Sequence, residues 1–178
     1  MLLCRLGIPF DCQSPAIDET ARYNESPLGL VGRLASQKAD TVSKEHPQAV
    51  VIGSDQLAVF NGQVIGKPGT HQIALKQLTS FSGQFVEFLT AVSVQCLENS
   101  FKELYTDCTR VCFRTLQREE IERYLHKEKP YDCVGAFKAE SMGIVLFDLI
   151  TNEDPTALIG LPLIRTAAML RRAGLQLP

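Results

Sequence analysis

A predicted buried strand leads directly into a carboxylate at residues 50–56, Val-Val-Ile-Gly-Ser-Asp-Gln. The β-branched residues favour a strand, and the small residues before Asp55 let the backbone turn. In open α/β sheets, ligands bind at the carboxyl ends of strands. A carboxylate in that position binds a hard cation or accepts a proton from water. The alternative is that Asp55 only caps the next turn, and this segment alone leaves both interpretations open.

Two other segments place charges in unusual positions. Asp18 and Glu19 are adjacent on a loop entered through Pro15, where they are either solvated or part of a metal or substrate site. Lys38 falls on the apolar face of a helix that begins at Ser26-Pro27. Because a buried ammonium must be paired or reach water, Lys38 either extends to solvent or points into a cleft.

Lysine also occurs in two segments that contain glycine. Lys67 lies between Gly66 and Pro68, a restricted backbone that either presents one charge to a phosphate or forms an ordinary surface turn. Residues 132–143 are Asp-Cys-Val-Gly-Ala-Phe-Lys-Ala-Glu-Ser-Met-Gly, so two glycines bracket an aromatic, a lysine and a glutamate. These two segments are the remaining candidates for contact with a charged ligand.

The elements that must position these residues alternate between strands and helices. Asn61-Gly62 between two apolar runs predicts a β-hairpin, and Thr70 predicts the start of a helix. Further strands are predicted over 85–97, 101–115 and 144–147, a further helix over 117–127, and a last helix with Pro162 at its first position. The sequence therefore predicts an α/β fold, a mixed sheet flanked by helices, in a single domain over residues 1–178.

Composition describes an ordinary globular protein without a strong overall charge. The 178 residues are 45% hydrophobic and 21% charged, with a net charge of −2. Such a chain buries a proper core, and it has no general attraction for nucleic acid or an anionic membrane. A polyanionic substrate would therefore have to meet locally placed lysine and arginine. No apolar run is long enough to span a bilayer.

The cysteines and the first residues of the chain indicate in which cellular compartment the protein is found. Six cysteines fall at irregular spacings, with neither a C-x-x-C pair nor a zinc pattern. The first residues carry no basic region followed by a long apolar run, as a signal peptide would. We therefore predict reduced thiols, a cytoplasmic protein and no nucleic-acid or membrane partner, with a homodimer left open.

Taken together, these segments resemble the Maf family of nucleoside triphosphate pyrophosphatases over nearly the whole chain. The matching segments, none of them specific alone, follow the family's order: Ile17-Asp18-Glu19, Leu34–Ala39, Ile52–Gln56, Gly66-Lys67-Pro68, Ser82-Gly83, Gly135–Gly143 and Ile159–Leu163. The Phe137-Lys138-x-Glu140 sequence is similar to the subgroup that acts on 7-methyl-GTP. Gln56 after the aspartate points to the same subgroup.

The resemblance implies a fold of the Maf and inosine triphosphatase type with a central cleft. It implies hydrolysis of a nucleoside triphosphate between the α- and β-phosphates, to a monophosphate and pyrophosphate, with Mg²⁺ or Mn²⁺. By resemblance Asp55 is the proton acceptor, and Gln56 and Glu140 are specificity residues. Glu140 would accept hydrogen bonds from guanine, and Phe137 would offer its face to a methylated, cationic base.

Phosphoryl chemistry is consistent with the remaining candidates, because hydrolysis at phosphorus requires an activated water and neutralised oxygens. Asp55 with a divalent metal would activate the water. Glu19 would help to hold the metal or the water. The positive charge that the net balance lacks would come from three lysines, Lys38, Lys67 and Lys138.

One departure from the family is expected to matter. The family opens with a strand and a phosphate-binding Ser-x-Ser-Pro-x-Arg-Arg loop, and Met1 stands where the residue after that arginine pair belongs. We therefore expect an N-terminally truncated version that is weakly active or inactive and less stable. The alternatives are a dTTP/UTP-type pyrophosphatase and an inactive nucleotide-binding or septum-related regulatory protein.

Overall fold

The computed structural model describes residues 2–177, which contain four α-helices and five strands. Their bounds are α1 Pro27–Glu45, β1 Val51–Phe60, β2 Gln63–Ile65, α2 His71–Phe81, β3 Phe85–Cys96, β4 Phe101–Phe113, α3 Arg118–Glu128, β5 Phe147–Thr151 and α4 Leu163–Arg172. The strands form one sheet in the order β2-β1-β3-β4-β5. Across residues 2–177, no helix combines the length and the apolar composition needed to cross a membrane.

The α/β fold predicted from the sequence is confirmed, with helices beside a five-stranded sheet. β1 pairs with β2 through the predicted turn, where Asn61 and Gly62 adopt positive φ values of 51° and 76°. Both residues of a type I′ hairpin turn need this conformation. β4 and β5 also pair antiparallel. The described sheet is antiparallel, and the mixed pairing expected from the sequence is not seen within it.

Two compact units divide the chain. The first comprises Met1–Gln56, Thr90–Asp107 and Asp154–Pro178, and the second comprises Leu57–Leu89 and Cys108–Glu153. The three long strands β1, β3 and β4 each contribute residues to both units. The single domain predicted over residues 1–178 stays a prediction, which the cooperativity of unfolding would test.

The core of the first unit is aliphatic. Its centre is a cluster of buried side chains from β3, α4 and the residue that follows α4, namely Val92, Val94, Met169, Leu170 and Ala173. Helix α1 begins as predicted, with Pro27 in its first turn and Ser26 as the cap whose Oγ accepts a hydrogen bond from the backbone N–H of Gly29 (3.1 Å). This cap satisfies one of the N–H groups left free at a helix start, so sequence and structure agree on where α1 begins.

The core of the second unit is aromatic. Contacting rings have their centroids 4.8–5.9 Å apart in a cluster formed by Phe60, Phe81, Phe88, Phe113, Phe137 and Phe147. Most of these pairs meet edge to face, the geometry favoured by the aromatic quadrupole. Helix α2 packs against α3 beside this cluster.

The strand predicted over 144–147 is wrong in position. Met142–Leu146 forms a 3-10 helix, and β5 starts only at Phe147. The N–H of Gly143 donates to the carbonyl of Lys138 (3.0 Å), which turns the chain. Ile144 and Val145 are 53% and 51% exposed, so this apolar run does not form a buried strand. A short apolar run does not by itself distinguish a strand from a turn of helix.

Candidate active site

The ammonium of Lys38 lies between two of the predicted carboxylates, within the first unit. Its Nζ is 2.6 Å from Oδ1 of Asp55 and 3.0 Å from Oε1 of Glu19. The side chain of Asp55 is 10% exposed and that of Glu19 is 61% exposed. A loop, a helix and a strand therefore each supply one charged group, and three of the predicted site residues come together. Asp55 lies inside β1, so the prediction that it stands where the strand ends is wrong, and so is the alternative that it only caps a turn.

The environment of Lys38 keeps its side chain charged. Burial lowers the pKa of Lys38, but hydrogen bonds and attraction from Asp55 and Glu19 outweigh this effect, so the net pKa is raised above its ordinary value. The ammonium does not simply extend to solvent. Of the two interpretations of Lys38 left open by the sequence, the structure therefore favours a charge directed at a cluster of polar groups.

Gly53 explains why α1 lies close enough for this contact. A Cβ added at Gly53 would lie 2.3 Å from the carbonyl oxygen of Ala35 and 2.6 Å from the backbone nitrogen of Ala39. Both atoms belong to the turns of α1 that surround Lys38. Only glycine permits this approach of a helix backbone to a strand. The glycine two residues before Asp55 therefore sets the distance that Lys38 spans.

Arg33 fixes the loop that carries Glu19. Its guanidinium makes a two-pronged ion pair with Glu25 (Nε–Oε1 2.7 Å, Nη2–Oε2 2.8 Å) and donates to the carbonyl of Thr20 (3.0 Å). Hydrogen bonds from Arg33 and from the backbone of Arg22, in that order, lower the pKa of Glu25 to about 2. Sequence reasoning missed Arg33, because only the folded loop brings its partners within reach.

The residues on either side of Asp55 are tied to neighbouring backbone. The hydroxyl of Ser54 lies 2.8 Å from the carbonyl of Ala91 and 3.0 Å from that of Gly160. The amide nitrogen of Gln56 donates to Oγ1 of Thr90 (2.8 Å) and lies 3.1–3.2 Å from two carbonyls in the 3-10 helix Ala157–Ile159. These bonds hold the backbone around Asp55 in place. The specificity role of Gln56 stays a prediction.

Asp154, which the sequence did not single out, holds the start of α4. It is 1% exposed and accepts hydrogen bonds from the N–H of Thr156 (3.0 Å) and the N–H of Ile164 (2.7 Å). An acidic side chain at a helix start satisfies N–H groups that have no partner within the helix. This position accounts for the buried carboxylate without a catalytic role.

The remaining predicted residues belong to the second unit. Lys67 and Glu140 are exposed, so each is accessible to a ligand. Phe137 is 5% exposed within the aromatic cluster, which favours a core role over contact with a base. The backbone N–H of Lys138 donates to the hydroxyl of Tyr124 (3.1 Å), and its Nζ lies 3.5 Å from the carbonyl of Glu128. Lys138 is thus anchored to α3.

Two groups of side chains have the chemistry of metal ligands. Asp55 and Glu19 direct carboxylate oxygens at one cation, the Lys38 ammonium, and carboxylates are the ligands that Mg²⁺ prefers. The donor set therefore fits the predicted metal. Within residues 2–177, the one group of three potential ligands is His71, Glu122 and His126 in the second unit. The sequence analysis missed this group, although the Glu-x-x-x-His spacing on α3 was visible.

Fold and site together define an α/β protein with a lysine held between two carboxylates at a strand. The family model described as Maf-like protein matches residues 1–173. The chain belongs to the Maf family.

Curated relatives cover almost the whole chain. A protein of Xanthomonas axonopodis pv. citri is 54% identical over 177 residues, which are 99% of this chain and 92% of that protein. A protein of Polaromonas sp. is 51% identical over 176 residues, 99% of this chain and 80% of that protein. A protein of Pseudomonas savastanoi pv. phaseolicola is 50% identical over 179 residues, with 99% and 92% covered. All three are named 7-methyl-GTP pyrophosphatase.

Proposed function

We propose that this protein hydrolyses the α–β phosphoanhydride bond of a nucleoside triphosphate and that 7-methyl-GTP is its preferred substrate. The observation that carries the proposal is the Lys38 ammonium held between Asp55 and Glu19. Relatives that share about half of their residues with this chain bear the name 7-methyl-GTP pyrophosphatase. Their name supports the substrate, and the site supports the reaction.

In the proposed reaction, water attacks the α-phosphorus, the bond to the bridging oxygen breaks, and pyrophosphate leaves. Asp55 accepts the proton that the water loses. Lys38 orients Asp55 through the 2.6 Å contact and places a positive charge close to the reacting group. Glu19 orients the water. A Mg²⁺ or Mn²⁺ ion held by Asp55 and Glu19 would neutralise phosphate charge.

Substrate recognition would come from further charged residues of the chain. We propose that Lys67 and Lys138 neutralise charge on the triphosphate. The net charge of the protein is −2, so the positive charge has to come from individual side chains. Glu140 is exposed and would accept hydrogen bonds from the N1–H and amino group of guanine. Replacing Glu140 by Gln should weaken the preference for guanine bases. An unchanged preference across substrates would remove Glu140 from the proposal.

Pyrophosphate release from 7-methyl-GTP, GTP, dTTP and UTP, each with Mg²⁺ and with Mn²⁺, tests the reaction and the substrate together. Asp55→Asn should lower kcat at least about a hundredfold, because it removes the proton acceptor. Asp40→Asn is the matched control, since Asp40 lies on α1 and pairs with Lys102 on the exposed surface. Its activity should stay at the wild-type level.

The same measurement separates the alternatives. A preference for dTTP or UTP would change the substrate and keep the mechanism. Binding of nucleotide without pyrophosphate release, under both metals, would identify a binding protein and refute the enzyme. Equal activity of the Asp55→Asn variant and the wild type would refute the role of Asp55. A cytoplasmic location and a homodimer stay predictions.

A further inference from the structure

Two of the three histidines of the chain meet in the second unit, around one glutamate. His71 is the first residue of α2, whereas Glu122 and His126 lie one turn apart on α3. Nε2 of His71 is 2.6 Å from Oε2 of Glu122, and Nε2 of His126 is 3.8 Å from the same oxygen. One ligand atom from each residue lies within 4.8 Å of the other two. Three donors therefore converge from two helices.

A hydrogen-bond chain orients the imidazole of His71. The hydroxyl of Tyr131 donates to the carbonyl of Leu125 (3.4 Å) and also lies 3.0 Å from Nδ1 of His71. In the tautomer that carries its proton on Nδ1, the imidazole donates to Tyr131 and its Nε2 lone pair faces Glu122. Metal-binding histidines almost always have such a partner on the other ring nitrogen.

In that tautomer, a further proton or a cation has to bridge the contact between His71 and Glu122. A lone pair on Nε2 and a carboxylate oxygen 2.6 Å apart repel each other unless a proton or a cation lies between them. A Zn²⁺ ion has ligand bonds of roughly 2.0–2.1 Å, so its ligand atoms lie about 3.4 Å apart. Glu122 is 30% exposed and has room for the small rotation that this spacing needs.

Arg118 also pairs with Glu122, so it competes with a metal ion for this carboxylate. The guanidinium of Arg118 lies 3.8 Å from Oε1 of Glu122, the oxygen that does not face His71. Arg118 is 73% exposed, and an exposed ion pair of this kind contributes little. It does not prevent Oε2 from binding a metal, and it partly holds the carboxylate in place.

We propose that His71, Glu122 and His126 bind one divalent transition-metal ion, with Zn²⁺ as the best match. Two imidazoles and one carboxylate are a known ligand set for Zn²⁺, with the fourth position open to water. The ion would join the start of α2 to α3 within the second unit. None of its ligands belongs to the proposed catalytic group, so the two proposals succeed or fail separately.

Metal titration with the histidine variants tests this site. We would measure Zn²⁺ binding by calorimetry and Co²⁺ binding by visible absorption in the wild type, in His126→Gln and in His46→Gln. His126 is 74% exposed, so its replacement should not disturb folding. His46 lies in the first unit and is the matched control. Wild type and His46→Gln should bind one more equivalent than His126→Gln, or bind it at least about tenfold more tightly.

Two further readouts exclude a purely structural role. Tyr131→Phe removes the partner of Nδ1 and should weaken binding by roughly 10- to 100-fold while all three ligands remain. Zn²⁺ should raise the melting temperature of the wild type and of His46→Gln but not that of His126→Gln.

Equal stoichiometry and affinity in the wild type and His126→Gln would overturn the proposal. A Co²⁺ spectrum that shows only thiolate ligation would also overturn it, because that result would assign the metal to the cysteines.

Discussion

Nζ of Lys38 lies 2.6 Å from Oδ1 of Asp55, although the two residues are 17 positions apart. One belongs to a helix and the other to the strand that follows it. The contact exists because Gly53 lets α1 pack directly on β1. Through Glu19, it also links the strand to an irregular loop. The proposed chemistry depends on this geometry.

Replacing Lys38 by Met should lower both activity and stability. The ammonium satisfies two carboxylates, and its loss leaves Asp55, which is only 10% exposed, without that partner. We expect kcat/KM to fall by about 10²–10³ and the free energy of unfolding to fall by about 1–3 kcal/mol. Lys102→Met is the control, since Lys102 is 54% exposed. Steady-state kinetics and urea unfolding would show the difference, and equal effects in both variants would contradict the assignment.

Replacing Gly53 by Ala should separate α1 from β1. The added Cβ would lie 2.3 Å from the backbone carbonyl oxygen of Ala35. A backbone atom cannot move aside as the end of a flexible side chain can. We expect a loss of about 1–3 kcal/mol and a fall in activity, because Lys38 moves with its helix. Gly66→Ala is the control for stability, since no atom lies within 4 Å of a Cβ there, and it should change the unfolding free energy by less than about 0.5 kcal/mol. A stable, fully active Gly53→Ala would refute the packing argument.

The pair of Arg33 and Glu25 should make stability depend on pH in the acid range. The pKa of Glu25 is lowered from 4.5 to about 2 in the folded protein. A depressed pKa stabilises the folded state above the unfolded-state value, so this contribution is lost as the pH falls from 4.5 toward 2. Glu25→Gln should be less stable than the wild type at pH 7, and the difference should shrink at low pH or in high salt. A difference that is constant with pH would contradict the ion pair.

Cys133 should react slowly with alkylating reagents. Burial, and then the neighbouring Asp132, raise the pKa of its thiol to about 11. Because the thiolate is the reactive form, iodoacetamide at pH 8 should modify the exposed Cys4 well before Cys133. Peptide mass spectrometry after timed labelling would give both rates. Rapid labelling of Cys133 at pH 8 would show that the segment before Phe137 opens more readily than its packing indicates.

Local physics made most of the secondary structure predictable. The caps at Ser26 and Thr70 and the turn at Asn61-Gly62 depend on residues adjacent in sequence, and all three are found where they were predicted. The error at Ile144 and Val145 has the same origin, because a run of four apolar residues carries no period that separates strand from helix. Their exposure depends on the turn made by Gly143 with Lys138.

The types of the site residues were determined by the sequence alone: an aspartate in an apolar strand segment, a lysine on an apolar helix face, and acids on a loop. The prediction that Asp55 ends its strand is wrong, because β1 continues to Phe60. Which of them meet was decided only by the tertiary structure. Hydrogen-bond geometry depends on distances of a few tenths of an ångström, and such distances follow from the approach of α1 to β1 and from the loop held by Arg33. The pairing of His71 with Glu122 spans 51 positions. It results from the packing of α2 on α3, which no local pattern encodes.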